Sequence, residues 1–224
     1  MLSPRSTLDR EFSAIRDNIL RMGSLVDTAI DRSIRALRTQ DAALSRQIIA
    51  DDQGINDLRF TIEEECLALI ATQQPVASDL RAVIAAMNIV NDMERMGDHA
   101  TGIAKTVIRM DGEPLLKPLL KPLVDIPRMA DLAREMLKKS LDALLARDAE
   151  AARRVAQQDD EIDRLYNQIF RELLSFMIED PATTTRGTYL LWAAHNLERI
   201  GDSATNIAER VIFMTTGTMK ELNL

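Results

Sequence analysis

The sequence predicts an all-α protein built as a tandem duplication of a three-helix bundle, with six long helices. The first observation is an internal repeat, because the segment Glu94–Asp98 (Glu-Arg-Met-Gly-Asp) returns as Glu198–Asp202 (Glu-Arg-Ile-Gly-Asp) 104 residues later. Over residues 94–108 and 198–212, 10 of 15 positions are identical, where average composition gives about one. The second observation is the composition. Aromatic residues make up only 4% of the chain, and 8 Gly and 7 Pro are too few for a chain rich in tight β-turns.

The repeat extends upstream of the motif at a slightly larger offset. Pro75 and Pro181 match at an offset of 106 residues, and further matches occur at an offset of 107. The second copy has therefore lost three residues before its motif. The matches at 107 are Asp41 with Asp148, Ala42 with Ala149, Asp52 with Asp159, Ile55 with Ile162, and Leu58 with Leu165.

Each unit contains three predicted helices. The first runs from about Ser6 to Arg38, with Ser6 and Asp9 at capping-box spacing. The second starts at Asp41 and continues, by its apolar residues at helical spacing, to about residue 74. The chain then turns near Pro75, and the third helix runs to about Met110.

The second unit repeats this plan, with helices at about 127–146, 148–178 and 181–215. Asp148 is a favourable N-cap, and Asp180 caps a helix with Pro181 at its first position. Three closely spaced prolines precede this unit, and they would break a helix. The predicted organisation is a first bundle at 1–111, a Pro-rich linker at 112–127 and a second bundle at 128–224.

Charge and composition limit the partners and the compartment. The net charge is −7 and the 28 basic residues form no cluster, which argues against nucleic acid. No apolar run has the form of a signal peptide or the length of a membrane span. Cys66 is the single cysteine. We therefore expect a cytoplasmic protein that does not span a membrane.

The repeated motif places two carboxylates on one face of a helix. Glu94 and Asp98 are four residues apart, as are Glu198 and Asp202, so each pair stacks. The apolar stripe of the same helix lies roughly 150° away, so each pair points away from the core. The predicted stripe residues are Met93, Met96, Ala100, Ile103, Val107 and Met110, and then Leu197, Ile200, Ala204, Ile207, Val211 and Met214.

Two interpretations of these pairs compete. They are either solvated surface charges or ligands of a metal ion. Like charges four residues apart cost about 0.2–0.5 kcal/mol, and the mid-helix Gly97 or Gly201 costs about 1 kcal/mol relative to alanine. Both units carry both unfavourable features at the same position, which favours the metal interpretation over simple surface charge. Carboxylates suit hard cations, and the predicted ligands are Glu94, Asp98, Glu198, Asp202 and Glu209.

The duplicated Glu-Arg-x-Gly-Asp segment, with Asn206–Glu209 after its second copy and Pro75–Arg81 before its first, resembles the PhoU family of phosphate-signalling regulators. This resemblance covers essentially the whole chain. It implies two three-helix bundles in a cytoplasmic homodimer. It also implies a negative regulator that couples the ATPase subunit of the phosphate ABC transporter to the phosphate-sensing histidine kinase. Some members carry iron or zinc on such acidic motifs, so the expected cofactor is a divalent or ferric ion (iron, zinc, manganese or magnesium).

The two copies differ near the predicted ligands. Lys105 stands where the second copy has Glu209, and its charge opposes a cation, so the second site should bind better. His99, a potential nitrogen ligand, is replaced by Ser203. Asp27 and Asp31 repeat the acidic spacing on the first helix and are interpreted as surface charge.

Alternatives from other classes are a di-iron enzyme, a hydrolase or transferase, and a metal-free helical scaffold for other partners. Di-iron bundles use Glu-x-x-His, but Met96 and Trp192 precede the two histidines at that spacing. No Gly-rich phosphate loop or catalytic triad context is present, which predicts a protein that is not an enzyme. His195 lies on an apolar stretch and is interpreted as a core histidine. The scaffold alternative stays open.

Overall fold

The first unit of the computed structural model contains four α-helices. The structure describes residues 4–110 and 122–218. The helices are α1 (Pro4–Thr39), α2 (Ala42–Asp51), α3 (Gln53–Gln73) and α4 (Ser78–Arg109). Asp41 accepts a 2.8 Å hydrogen bond from the Leu44 N–H and caps α2, as predicted.

The second unit follows the same order of elements. Its helices are α5 (Pro122–Ala146), α6 (Ala149–Ala156), α7 (Asp159–Glu179) and α8 (Thr184–Thr216), with a 3-10 turn at Pro181–Thr183. Asp148 caps α6 by accepting from the Glu150 and Ala151 N–H groups. The described residues confirm an all-α fold with two repeated helical units.

The middle helix of each unit, predicted as continuous, is bent. At the first bend the Ile55 N–H donates to the Asp52 carbonyl, three residues earlier, at 2.9 Å. At the second, the Gln158 N–H donates in the same way to the Val155 carbonyl at 2.9 Å. Bonds of this type tighten and interrupt an α-helix. Each bend directs the start of the longer helix, α3 or α7, toward the motif of its own unit.

Two predicted helix starts are wrong by a few residues. The first helix begins at Pro4 rather than Ser6, which suits proline at a first helical position. The helix predicted from Pro127 begins at Pro122, and Pro127 lies inside it. Near the start of a helix few hydrogen bonds are lost, so a proline there is tolerated. Linker residues 111–121 lie outside the described residues, and the unit boundaries remain a prediction.

The core runs continuously through both units. Among the described elements, α4 and α8 make the most extensive contact with each other. The apolar stripes predicted for these two helices are buried, as expected, with Met214 the most exposed of them at 7%. The Arg134 guanidinium on α5 binds the Asp27 carboxylate on α1 through two bonds of 2.7 and 3.0 Å, and Asp31 at 2.8 Å. The surface carboxylates of α1 therefore have an ion-pair partner in the other unit.

None of the described helices combines the length and apolar content needed to cross a bilayer.

Candidate functional site

The first motif faces the bend between α2 and α3. Glu94 is half-buried and Asp98 is exposed. A Cβ atom at Gly97 would lie 3.0 Å from the Ile55 Cδ1 atom and 3.1 Å from Asp52 Oδ1. The missing side chain at Gly97 therefore lets the bend approach α4. Asp52, Glu94 and Asp98 form the first acidic cluster.

Burial and mutual repulsion disfavour the charged carboxylates of this cluster. The pKa of Asp52 is raised, first by burial and then by the Asp98 charge. The pKa of Glu94 is raised by burial and by the same neighbour. Three cations partly offset this effect, since Lys105 lowers the pKa of Asp52 and both Arg59 and Arg95 lower that of Glu94.

The second motif has the same relation to its own bend. A Cβ atom at Gly201 would lie 2.9 Å from Ile162 Cδ1 and 3.0 Å from Asp159 Oδ1. Glu198 and Asp202 keep 20% and 32% of their side-chain surface exposed. The predicted position off the core stripe is therefore correct, but the pairs lie against a neighbouring helix rather than on an open face.

Asp163, Glu198 and Asp202 form the second acidic cluster. The pKa of Glu198 is raised by burial, and further by Asp202 and Asp163. The pKa of Asp163 is raised by burial and then by Asp202. Arg199 binds the Asp202 carboxylate at 3.0 Å and lowers the pKa of Glu198.

Three equivalent positions make the second cluster more acidic than the first. The first unit has one amide and two cations at these positions, whereas the second has two carboxylates and a phenol. The replacements are Asn56 by Asp163, Arg59 by Tyr166, and Lys105 by Glu209. The nearby cations that moderate the first cluster are thus missing from the equivalent positions of the second.

Glu209 stays a predicted third ligand of the second site, and its charge also reaches α4. The pKa of Asp92, a buried residue of α4, is raised by burial and then, to a smaller extent, by the Glu209 charge. Seven residues separate Glu209 from Asp202, which is about 10 Å along a helix. The two residues share a helical face, and a role of Glu209 as a ligand stays a prediction.

The histidines occupy different environments. His99 Nδ1 lies 3.0 Å from Asn196 Oδ1 and therefore contacts α8. His195, predicted to be in the core, has a side chain that is 49% exposed, so that prediction is wrong. Its ring contacts Tyr166, and its Nδ1 lies 3.6 Å from Glu198 Oε2, which is too long for a hydrogen bond. The prediction took the apolar residues around His195 as a sign of a buried face, but Trp192 on the same stretch is also exposed.

Sequence reasoning assigned no role to the carboxylates contributed by the neighbouring helices. These are Asp52 in the first unit, and Asp159 and Asp163 in the second. The repeat alignment already paired Asp52 with Asp159. Acidic residues at equivalent positions before both motifs were the signal for Asp52 and Asp159, whereas Asp163 has the amide Asn56 as its counterpart and carried no such signal.

The donor chemistry of the clusters suits a hard cation. Carboxylate oxygens are the ligands that magnesium, manganese and ferric ions prefer, and a cation would offset the repulsion that raises these pKa values. Among the described residues, however, no three His, Cys, Asp or Glu side chains converge as a ready-made metal site. Side-chain rotation would be needed to bring the oxygens of either cluster together.

Fold and site together define a duplicated helical-bundle protein with one acidic cluster per unit. The PhoU domain model matches residues 19–107 and 126–211. The phosphate-specific transport system accessory protein PhoU homologue of Rhizobium meliloti is 40% identical, over 96% of this chain and 90% of that protein. The homologue of the same name from Clostridium acetobutylicum is 39% identical, over 98% and 99%.

Solved structures agree with this match. The crystal structure of PhoU from Pseudomonas aeruginosa superposes with a TM-score of 0.87 at 38% identity, covering 94% of this chain and 99% of that one. The phosphate transport system regulatory protein PhoU from Streptococcus pneumoniae also gives 0.87, at 32% identity, covering 96% and 99%. The chain belongs to the PhoU family.

Proposed function

We propose that this protein is a cytoplasmic accessory regulator of phosphate transport and a negative regulator of the phosphate-starvation response. It acts as an adaptor between the ATPase subunit of the phosphate ABC transporter and the phosphate-sensing histidine kinase. The observation that carries this proposal is near full-length similarity to proteins named as accessory or regulatory components of phosphate transport.

The α7 surface supports an adaptor role. Phe170, Leu174 and Ile178 recur at intervals of four residues, so they share one face of α7, and they are 43%, 43% and 72% exposed. Exposed apolar side chains that line up in this way are typical of a protein interaction surface. We propose that this ridge contacts the ATPase subunit of the transporter.

A pull-down with the purified ATPase subunit tests this contact. Leu174→Glu should abolish capture, because a charge would then face an apolar partner surface. The matched control is Leu67→Glu, since Leu67 is the repeat partner of Leu174 on α3 and is 57% exposed. Equal capture by Leu174→Glu and the wild type would contradict the proposed surface. Light scattering on the same samples tests the homodimer that the family resemblance implies.

Deletion of the gene tests the regulatory role. In high phosphate, a reporter driven by a phosphate-starvation promoter should be derepressed in the deletion strain and repressed again by the wild-type gene. A reporter that stays repressed without the protein would contradict negative regulation. This readout does not depend on the identity of any bound ion.

We propose that the protein acts through binding rather than through turnover. Purified protein should hydrolyse neither nucleotides nor phosphate esters. A metal-dependent hydrolase activity that survives repurification and is lost in Asp202→Ala would contradict this proposal.

A divalent or ferric ion is the cofactor that we propose for the acidic clusters. Asp52, Glu94 and Asp98 would hold it in the first unit, and Asp163, Glu198 and Asp202 in the second. The ion would supply positive charge that neutralises the buried carboxylates and ties the bend of each unit to its motif helix. The second cluster should bind more tightly, because Arg59 and Lys105 act only on the first.

A further inference from the structure

A polar cleft between α4 and α8 brings together the arginines of the two repeated motifs. Its volume is about 340 Å³. Six residues line it: Arg95, His99, Arg199, Asp202, Ser203 and Asn206. Arg95 and Arg199 occupy the same position in the two copies of Glu-Arg-x-Gly-Asp. The cleft therefore lies where the two units meet, and it shares Asp202 with the second acidic cluster.

Both arginines keep hydrogen-bonding capacity in this cleft. Their side chains are 65% and 51% exposed, respectively. Arg95 contacts the Asp92 carboxylate at 3.5 Å, the long limit for a hydrogen bond. Arg199 donates from Nη1 to Asp202 at 3.0 Å. Because a guanidinium group carries five N–H donors, these contacts leave donors available on both side chains.

We propose that this cleft binds a small phosphate-type oxyanion. Two guanidinium groups suit the tetrahedral oxygens of phosphate, since arginine forms paired, charge-assisted hydrogen bonds with such groups. The volume lies at the lower end of the range for small-molecule pockets, about 300–1,000 Å³. This inference rests on the proposed function and deepens it, because it gives a regulator of phosphate transport a site for phosphate itself.

Asp202 sets the strength of this site. Its carboxylate neutralises Arg199 and lines the same cleft, so it repels an entering anion. A phosphate group must compete with Asp202 for the Arg199 guanidinium. Removing the Asp202 charge should therefore strengthen anion binding, whereas removing either arginine charge should weaken it. General electrostatic attraction would give the same signs, so a control at a positive charge outside the cleft is needed to identify a local site.

Isothermal titration with inorganic phosphate, in a chelator-treated buffer of constant ionic strength, tests the proposal. Wild type should bind saturably, and Arg95→Gln and Arg199→Gln should each weaken binding by about tenfold, or about 1.4 kcal/mol. Asp202→Asn should bind more tightly than wild type. The matched control is Lys105→Gln, which removes a positive charge of α4 that acts on Asp52 and does not line the cleft. Circular dichroism establishes that each variant is folded.

Three results would overturn the proposal: no saturable binding by wild type, equal weakening in Lys105→Gln and Arg199→Gln, or no gain in Asp202→Asn. Pyrophosphate in a parallel titration shows whether the cleft accepts a larger phosphate-bearing anion in preference to phosphate. The starvation reporter separates this inference from the proposed function. A chain that represses the reporter but binds no phosphate retains its regulatory role and lacks the anion site.

Discussion

Replacing Gly201 with alanine tests why the motif contains a glycine in the middle of a helix. The added Cβ atom would lie 2.9 Å from Ile162 Cδ1 and 3.0 Å from Asp159 Oδ1, closer than ordinary van der Waals contact. Alanine gains about 1 kcal/mol of helix propensity over glycine, whereas overpacking a tight contact costs about 1–3 kcal/mol. We therefore expect Gly201→Ala to lower the free energy of unfolding by roughly 1 kcal/mol, or about 2–4 °C in melting temperature.

Urea unfolding followed by circular dichroism measures this change. The matched control is Gly54→Ala, because a Cβ atom at Gly54 on α3 meets nothing within 4 Å. Without a packing cost, this control should raise the free energy of unfolding by up to about 1 kcal/mol. If Gly201→Ala stabilised the protein as much as Gly54→Ala, the glycine could not be explained by the close approach of the bend.

Three further predictions concern charge and burial. Because burial raises the folded-state pKa of Glu198 and Asp163 above the ordinary carboxyl values, the stability that their protonated forms contribute to metal-free protein should be lost as pH rises from those ordinary values through the raised ones. Asp163→Asn should flatten this part of the pH dependence in thermal melts, and an unchanged profile would contradict the repulsion. Arg134→Met should lower the free energy of unfolding by about 1 kcal/mol, because it leaves Asp27 without its ion-pair partner on a partly exposed surface. An unchanged free energy in urea unfolding would show that the ion pair does not stabilise the fold. Cys66, which is buried and has a pKa raised to about 12, should react with a thiol reagent only after denaturant is added, whereas rapid labelling of native protein would contradict its burial.

Sequence periodicity was sufficient to predict the fold because each unit buries one continuous apolar stripe. The stripe from Met93 to Met110 and its counterpart in α8 are buried as predicted. The bends at Asp52 and Gln158 were missed because their backbone dihedrals stay in the helical region, and no proline or glycine marks the residue at either bend. The apolar pattern therefore continues across both of them.

The acidic site was predicted only in part, for a related reason. Glu94–Asp98 and its repeat are local in sequence, so helical spacing was enough to pair their carboxylates. Asp52 and Asp163 join the pairs through contacts between helices, and a single-helix argument contains no information about such contacts. Glu209 was included because it shares a helical face with Asp202, and its role as a ligand stays a prediction.

Metal analysis of the two acidic clusters tests most directly whether these carboxylates form cation sites of unequal strength. Protein grown with iron, zinc and manganese and purified without chelator should contain metal by mass spectrometry. Glu198→Ala/Asp202→Ala should lose more of it than Glu94→Ala/Asp98→Ala, while both variants stay folded in thermal melts because their side chains lie off the core stripe. If the wild-type protein contained no metal, the carboxylates would be surface charges and not ligands. Metal bound by the first pair alone would contradict the argument that Arg59 and Lys105 weaken the first site.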